Sequence, residues 1–310
     1  MQFVRDINWD FLKYRRVAYV LSAVLILAGL VSLIVHGGPR YGIDFTGGRV
    51  LEISFAKSPN ISDVRKVLLE KGFGALEVQS VTDRPWILFR VPMELDERYP
   101  DFSETLLETF RNHFTEEDGY RIEVLSNEKV GPKVGAELRR KALWAVFFAL
   151  VAMLIYITIR FQFRFGVASV IALFHDAFIT VGIFSILNKE ITLPIVAALL
   201  TIVGYSINDS IVVSDRIREN MTKLRRLPFY DLVNKSLNQV FARTIIISFT
   251  TLVVVFCLLV FGGKVIHDFA LALFIGILVG TYSSIYIVSP LVVQWEKWFP
   301  KKVGLSAKAR

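Results

Sequence analysis

Leu193–Val213 reads LPIVAALLTIVGYSINDSIVV, a run that is apolar almost throughout and carries one carboxylate, Asp209, among small polar groups. About 20 apolar residues, rising 1.5 Å each as a helix, cross the hydrocarbon layer of a bilayer. An ionisable side chain inside such a run is costly, so it faces a bundle interior or a water-filled path. This stretch therefore predicts a membrane helix with a polar side. Five further runs have the same character: Val17–Val35, Ala142–Ile159, Phe165–Leu187, Thr244–Phe261 and Phe269–Val293. The third span in chain order, Phe165–Leu187, is interrupted by His175 and Asp176. The expected fold is a polytopic α-helical membrane protein with six transmembrane helices.

Composition agrees. The 310 residues are 54% hydrophobic and 21% charged, with mean hydropathy +0.50; soluble domains carry about 45–50% apolar and about 25% charged residues. An ordinary cytosolic enzyme and a disordered chain are both excluded. Cys257 is the one cysteine and the four histidines are scattered. A disulfide framework, a multi-Cys zinc site and an iron–sulfur site are ruled out, and no metal is expected. No nucleophile–base pair or cofactor fingerprint emerges, so no cofactor and no enzymatic activity are expected. The first run is longer than a signal-peptide core and is followed by no A-x-A site, so it reads as a retained span.

Basic residues set the orientation. The N-terminal tail, the Arg160–Arg164 connection, the stretch from Arg216 to Lys235 and the C-terminal tail hold 17 Lys and Arg on one side, against Lys189 and Lys264 in the opposite short loops. Both termini are expected to be cytoplasmic. The Arg139-Arg140-Lys141 cluster violates the rule locally. The net charge of +8 belongs to this membrane face, because the segment Gly37–Lys141 is nearly balanced with 16 basic and 18 acidic residues. Membrane lipids, and no nucleic acid, are the expected surroundings. The predicted organisation is a cytoplasmic tail (1–16), a first span (17–35) and an extracytoplasmic domain with its connections (36–141). Spans two to six follow (142–293), with a cytoplasmic amphipathic loop (214–243), and then a cytoplasmic tail (294–310).

The segment between the first two spans reads as a folded domain. Arg49–Phe55 is a strand. Ile61–Lys71 is a helix that Asn60 or Ser62 can cap and Gly72 can end. Leu76–Val81 and Trp86–Val91 are strands across an Asp83-Arg84-Pro85 turn. Phe102–Phe114 is a helix entered by Asp101-x-x-Glu104, and Tyr120–Leu125 is a last strand. The order β-α-β-β-α-β is the ferredoxin-like pattern. Before it lies Tyr41-Gly-Ile-Asp-Phe-Thr-Gly-Gly48. With no lysine and no helix start after its glycines it fails as a phosphate loop, and it reads as a tight turn between a helix and a strand.

Within the spans, Asp209 and Arg243 fall at similar depth, which makes them candidate partners and candidate proton-relay groups. Tyr205 is one turn from Asp209, with Ser206, Asn208 and Ser210 alongside; such groups can hydrogen-bond a carboxylate or order water. Asp176 and His175 are secondary candidates, either functional or a structural hydrogen-bonded pair. Ser and Thr on the fifth span, Thr244 and Ser248 among them, can equally be packing polars.

Several of these segments together resemble the SecD/SecF family. They are Gly42-Ile-Asp-Phe-Thr-Gly-Gly48 (with Gly42, Asp44, Phe45, Gly47 and Gly48 as its motif residues), Val130–Gly135, His175-Asp-Ala177, Val203–Asp209, Asp215–Asn220 and Arg243-Thr244. The resemblance covers essentially the whole chain. It implies a unit of the RND superfamily whose partner SecD supplies six more spans. It also implies work beside the SecYEG channel, using the proton-motive force to assist export of preproteins after SecA has acted, with YajC as an accessory. In that family the counterpart of Asp209 carries protons and that of Arg243 is coupled to it. The alternative is a half-size RND-type proton-coupled transporter of lipids or small molecules, and a third reading is a scaffold whose buried charges only hold helices together.

Overall fold

A computed structural model describes residues 8–80, 85–99, 101–115 and 119–299. The Asp83-Arg84 turn, Arg5 and the tail beyond residue 299 lie outside the described residues. The chain divides into two units, Tyr41–Leu143 and, together, Met1–Arg40 with Trp144–Arg310.

A 3-10 turn at Phe11–Tyr14 leads into helix α1 (Arg15–Val35). The second unit then runs through a single turn α2 (Ile43–Thr46), β1 (Gly48–Phe55), α3 (Ile61–Glu70), β2 (Glu77–Ser80), β3 (Trp86–Val91), α4 (Met93–Arg98), α5 (Phe102–His113) and β4 (Ile122–Val130). Its four strands form one antiparallel sheet in the order β2-β3-β1-β4, the ferredoxin-like arrangement. Leu51, Ile53 and Phe55 alternate along β1 and are fully buried, as the two-residue strand period requires. They meet Phe89, Phe102 and Phe110 in one core. The Asn60 side chain caps α3, accepting from Ser62 N at 3.1 Å. Asp101 makes no side-chain cap on α5, and α4, started by Pro92, is an element the hydropathy pattern does not announce. Among the described residues of this unit one carboxylate is buried: Asp96 is paired with Arg49 Nε at 2.6 Å and Lys129 Nζ at 2.7 Å. Burial alone raises its pKa, but the hydrogen bonds and charges of Lys129 and Arg49 prevail and hold it below the usual carboxylate range.

The membrane unit continues with α6 (Pro132–Arg160), α7 (Phe163–Ile186), α8 (Leu193–Lys223), α9 (Phe229–Phe261) and α10 (Gly263–Ser283). A π-helical segment, Ser284–Val288, joins α10 to α11 (Ser289–Trp298). Six helical stretches among the described residues are long and apolar enough to span a membrane, the last running through α10 and α11. The protein is an integral membrane protein. α7 and the last span are largely buried, whereas α1, α6 and α9 are largely exposed. The π segment precedes Pro290, which offers no N–H to the carbonyl of residue 286, and the Ser289 hydroxyl donates to the Ser284 carbonyl at 3.2 Å. α1 and α7 approach backbone to backbone at two glycines: a Cβ on Gly29 would lie 2.7 Å from Gly182 Cα. Small residues are what permit such contact between membrane helices.

Two boundaries differ from the sequence reading. The amphipathic loop expected over 214–243 is instead the continuation of two spans, with only residues 224–228 connecting α8 to α9. The polar residues of this stretch face one another: Asn220 Nδ2 donates to Ser236 Oγ at 2.8 Å and to Gln239 Oε1 at 2.7 Å. Leu232, Val233 and Leu237 bury in the same core as Ile217. The amphipathic face is thus covered by protein. Likewise α6 starts at Pro132, so Arg139, Arg140 and Lys141 lie within a helix.

Candidate functional site

Asp209 sits on α8, buried in the membrane unit. Its Oδ1 accepts from Thr244 Oγ1 of α9 at 2.9 Å, and its Oδ2 accepts from Ser284 Oγ of the π segment. Both donors are neutral hydroxyls. Arg243, the expected partner, is exposed and has no ion pair among the described residues. Adjacent residues of a helix point about 100° apart, so with Thr244 turned inward Arg243 turns outward. The Asp209–Arg243 pair is therefore corrected to Asp209–Thr244–Ser284.

A second carboxylate lies close by along the same junction. Asp176 on α7 is 1% exposed. Its Oδ2 accepts from Ser206 Oγ of α8 at 2.5 Å and from Ser283 Oγ at 2.8 Å. Its Oδ1 contacts Nδ1 of His175 at 2.8 Å. His175 Nε2 meets Ser22 Oγ of α1 at 2.9 Å, and its ring stacks on Tyr282 with centroids 6.2 Å apart. The consecutive hydroxyls of Ser283 and Ser284 thus reach two different buried carboxylates. Of the other sequence candidates, Tyr205 donates to Ser248 Oγ at 3.1 Å, and Thr281 donates to the same oxygen at 2.7 Å. Asn208 is exposed and takes no part in either cluster.

The glycine motif is a backbone joint within the sheet unit. Gly42 caps the turn α2, and Phe45 is buried. Gly47 and Gly48 have φ of 75° and 118°, and a Cβ on Gly48 would stand 2.7 Å from the Val91 carbonyl oxygen. Only glycine suits that conformation at that distance. Asp44 lies in the first turn of α2. Among the described residues no group of three or more His, Cys, Asp or Glu is gathered to hold a metal ion.

Ser283, Ser284 and Ser22 were not picked out from sequence. A signal exists in Thr281-Tyr-Ser-Ser284, a polar patch in an apolar span that closely precedes Pro290.

Comparison with known proteins identifies relatives over nearly the whole chain. Residues 109–298 match the family described as "Protein export membrane protein SecD/SecF, C-terminal", and residues 32–59 match the "SecD/SecF GG Motif". The protein translocase subunit SecDF of Thermus thermophilus is 47% identical over 293 residues, covering 94% of this chain and 39% of that one. The chain thus spans about two fifths of that relative. The protein translocase subunit SecF of Rhodothermus marinus is 43% identical over 300 residues, covering 95% of each chain. The crystal structure of SecDF, a translocon-associated membrane protein from Thermus thermophilus, superposes with TM-score 0.85 at 42% identity, over 96% of this chain and 40% of that one.

Proposed function

Because this chain belongs to the SecD/SecF family of protein-export membrane proteins, we propose that it couples the proton-motive force to protein export. It works in the bacterial cytoplasmic membrane as the half of a complex that a SecD-type subunit completes, assisting preproteins through the SecYEG channel. The observation that carries the reading is Asp209: a carboxylate buried within a span and held by two hydroxyls, with no cation beside it among the described residues. Hydroxyls can donate to the ionised carboxylate or accept from the protonated acid, so the site can hold either form without rebuilding. Each proton crossing 100 mV delivers about 2.3 kcal/mol, which shifts a conformational equilibrium on the order of fifty-fold.

The exposed position of Arg243 supports a partner. A guanidinium on a helix whose neighbours Ile245, Ile246 and Phe249 are exposed apolar groups would lie against lipid unless another chain covers it. A carboxylate on the SecD-type subunit would satisfy it. Both termini lie in the cytoplasm and the ferredoxin-like unit on the opposite face, where it contacts preprotein or the partner's domain and performs no enzymatic chemistry. Asp209→Asn keeps size and hydrogen bonding but removes titration. The complex should assemble while proton-dependent export in inverted vesicles is lost. Normal proton-driven export in an assembled Asp209→Asn complex would overturn the proposal.

A further inference from the structure

The hydroxyl chain beside His175 fixes where protons sit, because each hydroxyl has one proton to give. Tyr282 Oη donates to the Ala18 carbonyl oxygen at 2.6 Å. Its 3.0 Å contact with Ser22 Oγ therefore has Ser22 as the donor. With that proton committed, the 2.9 Å contact between Ser22 Oγ and His175 requires Nε2–H to donate. At the other end, Asp176 Oδ2 is already occupied by the Ser206 and Ser283 hydroxyls. One contact remains, His175 Nδ1 to Asp176 Oδ1 at 2.8 Å. Without a proton between them, two lone pairs would face each other at that distance. The proton is either on Nδ1, giving imidazolium and carboxylate, or on Oδ1, giving imidazole and carboxylic acid. Both forms have the same proton count and no net charge, which is what a buried pair requires.

We infer that His175 and Asp176 form a second proton-holding site, linked to Asp209 through the adjacent hydroxyls of Ser283 and Ser284. Each of these hydroxyls has a second acceptor on its own helix: Ser283 Oγ reaches the Gly280 carbonyl oxygen at 3.1 Å, and Ser284 Oγ reaches that of Thr281 at 3.0 Å. When Asp209 takes a proton on Oδ2, its new O–H donates to Ser284, whose own proton turns to the Thr281 carbonyl. Ser283 is attached to the same π-helical joint, where backbone register is already displaced. Movement there turns the Ser283 proton from Asp176 to Gly280. Asp176 then has one donor fewer on its carboxylate, and the shared proton moves from Nδ1 to Oδ1. No proton is created or consumed in the pair.

The other groups near the pair are few. α1 contributes Ser22 and carries Tyr19 one turn away. α8 contributes Ser206, with Asp209 three residues on. α10 contributes Tyr282 and Ser283, with Tyr286 of the π segment one turn beyond. The ion pair of Arg164 with Glu296 of α11 lies at the start of α7, twelve residues from Asp176.

The use of this site rests on the proposed proton coupling of Asp209; the proton count does not. The test is pH-titrated infrared difference spectroscopy of the full chain in lipid nanodiscs with its co-purified partner, with carboxyl bands assigned by Asp→Asn substitution. Protonation of Asp209 should be accompanied by a change in a second carboxyl band, from Asp176, as the shared proton passes from Nδ1 to Oδ1, and His175→Gln should displace that second band. Asp176→Asn should move the Asp209 midpoint by about 0.7 pH units or more, a fivefold change in proton affinity, and Ser283→Ala with Ser284→Ala should abolish that dependence. An Asp209 midpoint indifferent to Asp176→Asn, or an Asp176 band indifferent to His175→Gln, overturns the inference while leaving a proton-carrying Asp209 intact. Proton-driven export surviving Asp209→Asn would instead sink the functional proposal and leave this measurement standing. Should Asp176→Asn fail to assemble, Ser283→Ala alone, which keeps both carboxyls, decides: a displaced Asp209 midpoint supports the link and an unchanged one refutes it.

Discussion

Asp96 in the sheet unit and Asp209 in the membrane unit are both buried carboxylates, yet they are held in opposite ways. Asp96 is clamped by two cations, Arg49 and Lys129. Asp209 is met by two hydroxyls, Thr244 and Ser284. Cations fix a charge, because releasing it would leave them uncompensated. Hydroxyls fix only a position, because each can reverse its hydrogen bond. The surroundings follow the same division. The sheet unit fills its core with Phe55, Phe89, Phe102 and Phe110. In the membrane unit, glycines and serines let backbones approach and then supply reversible donors. Burial alone therefore does not mark a carboxylate as functional; the chemistry of its partners does.

The largest expected effect that would break this contrast is at Asp209. Asp209→Asn should remove essentially all proton-dependent stimulation of export, whereas Asp96→Asn should leave the proton dependence of export unchanged. If both variants changed proton dependence equally, the division between fixed and reversible carboxylates would be wrong. Next comes stability. Asp96→Ala strands Arg49 and Lys129 and should destabilise the sheet unit by about 3 kcal/mol, read as faster hydrogen exchange of β1 and β3 amides in the full chain, while the membrane helices keep their protection. The same pair gives a pH dependence with a definite sign. The folded pKa of Asp96 is lowered, so its stabilisation is complete above the unfolded value of about 3.9 and is lost as pH falls through the lower folded value. Exchange in β1 should therefore quicken only on the acid side, after correction for intrinsic rates.

Gly48→Ala should cost about 2 kcal/mol, since φ is positive and the new Cβ meets the Val91 carbonyl. Lowered protease resistance confined to the sheet unit would be the readout, and unchanged resistance would show that the joint yields. The smallest effect is expected at Thr244. Thr244→Val keeps the shape and removes one of two donors to Asp209, for about 1.5 kcal/mol. A shift in the pH profile of export, with assembly unchanged, would distinguish tuning from packing; an unmoved profile would leave Ser284 as the donor that matters.

Much of this was legible in the sequence, for identifiable reasons. Apolar length is local, so all six spans could be read from runs such as Leu193–Val213. Alternation gave the four strands of the sheet unit in order and two of its helices, and Asn60 a cap, but not α4. An Asp in the interior of an apolar run must be buried or wetted, which singled out Asp209 and Asp176. The partners were a different matter. Depth placed Arg243 beside Asp209, but depth does not specify rotation about the helix axis, and one residue's turn of about 100° exchanges Arg243 for Thr244. The polar stretch 214–243 had the amphipathic pattern of a surface helix; only the packing of α8 on α9 decided that its apolar side is covered by protein. Hydrophobic pattern therefore determined which segments enter the membrane and which carboxylates are buried there. The tertiary structure alone decided which hydroxyls, from α9 and from Ser283–Ser284 far along the chain, meet those carboxylates, because hydrogen bonds depend on helix rotation and register to within a fraction of a turn.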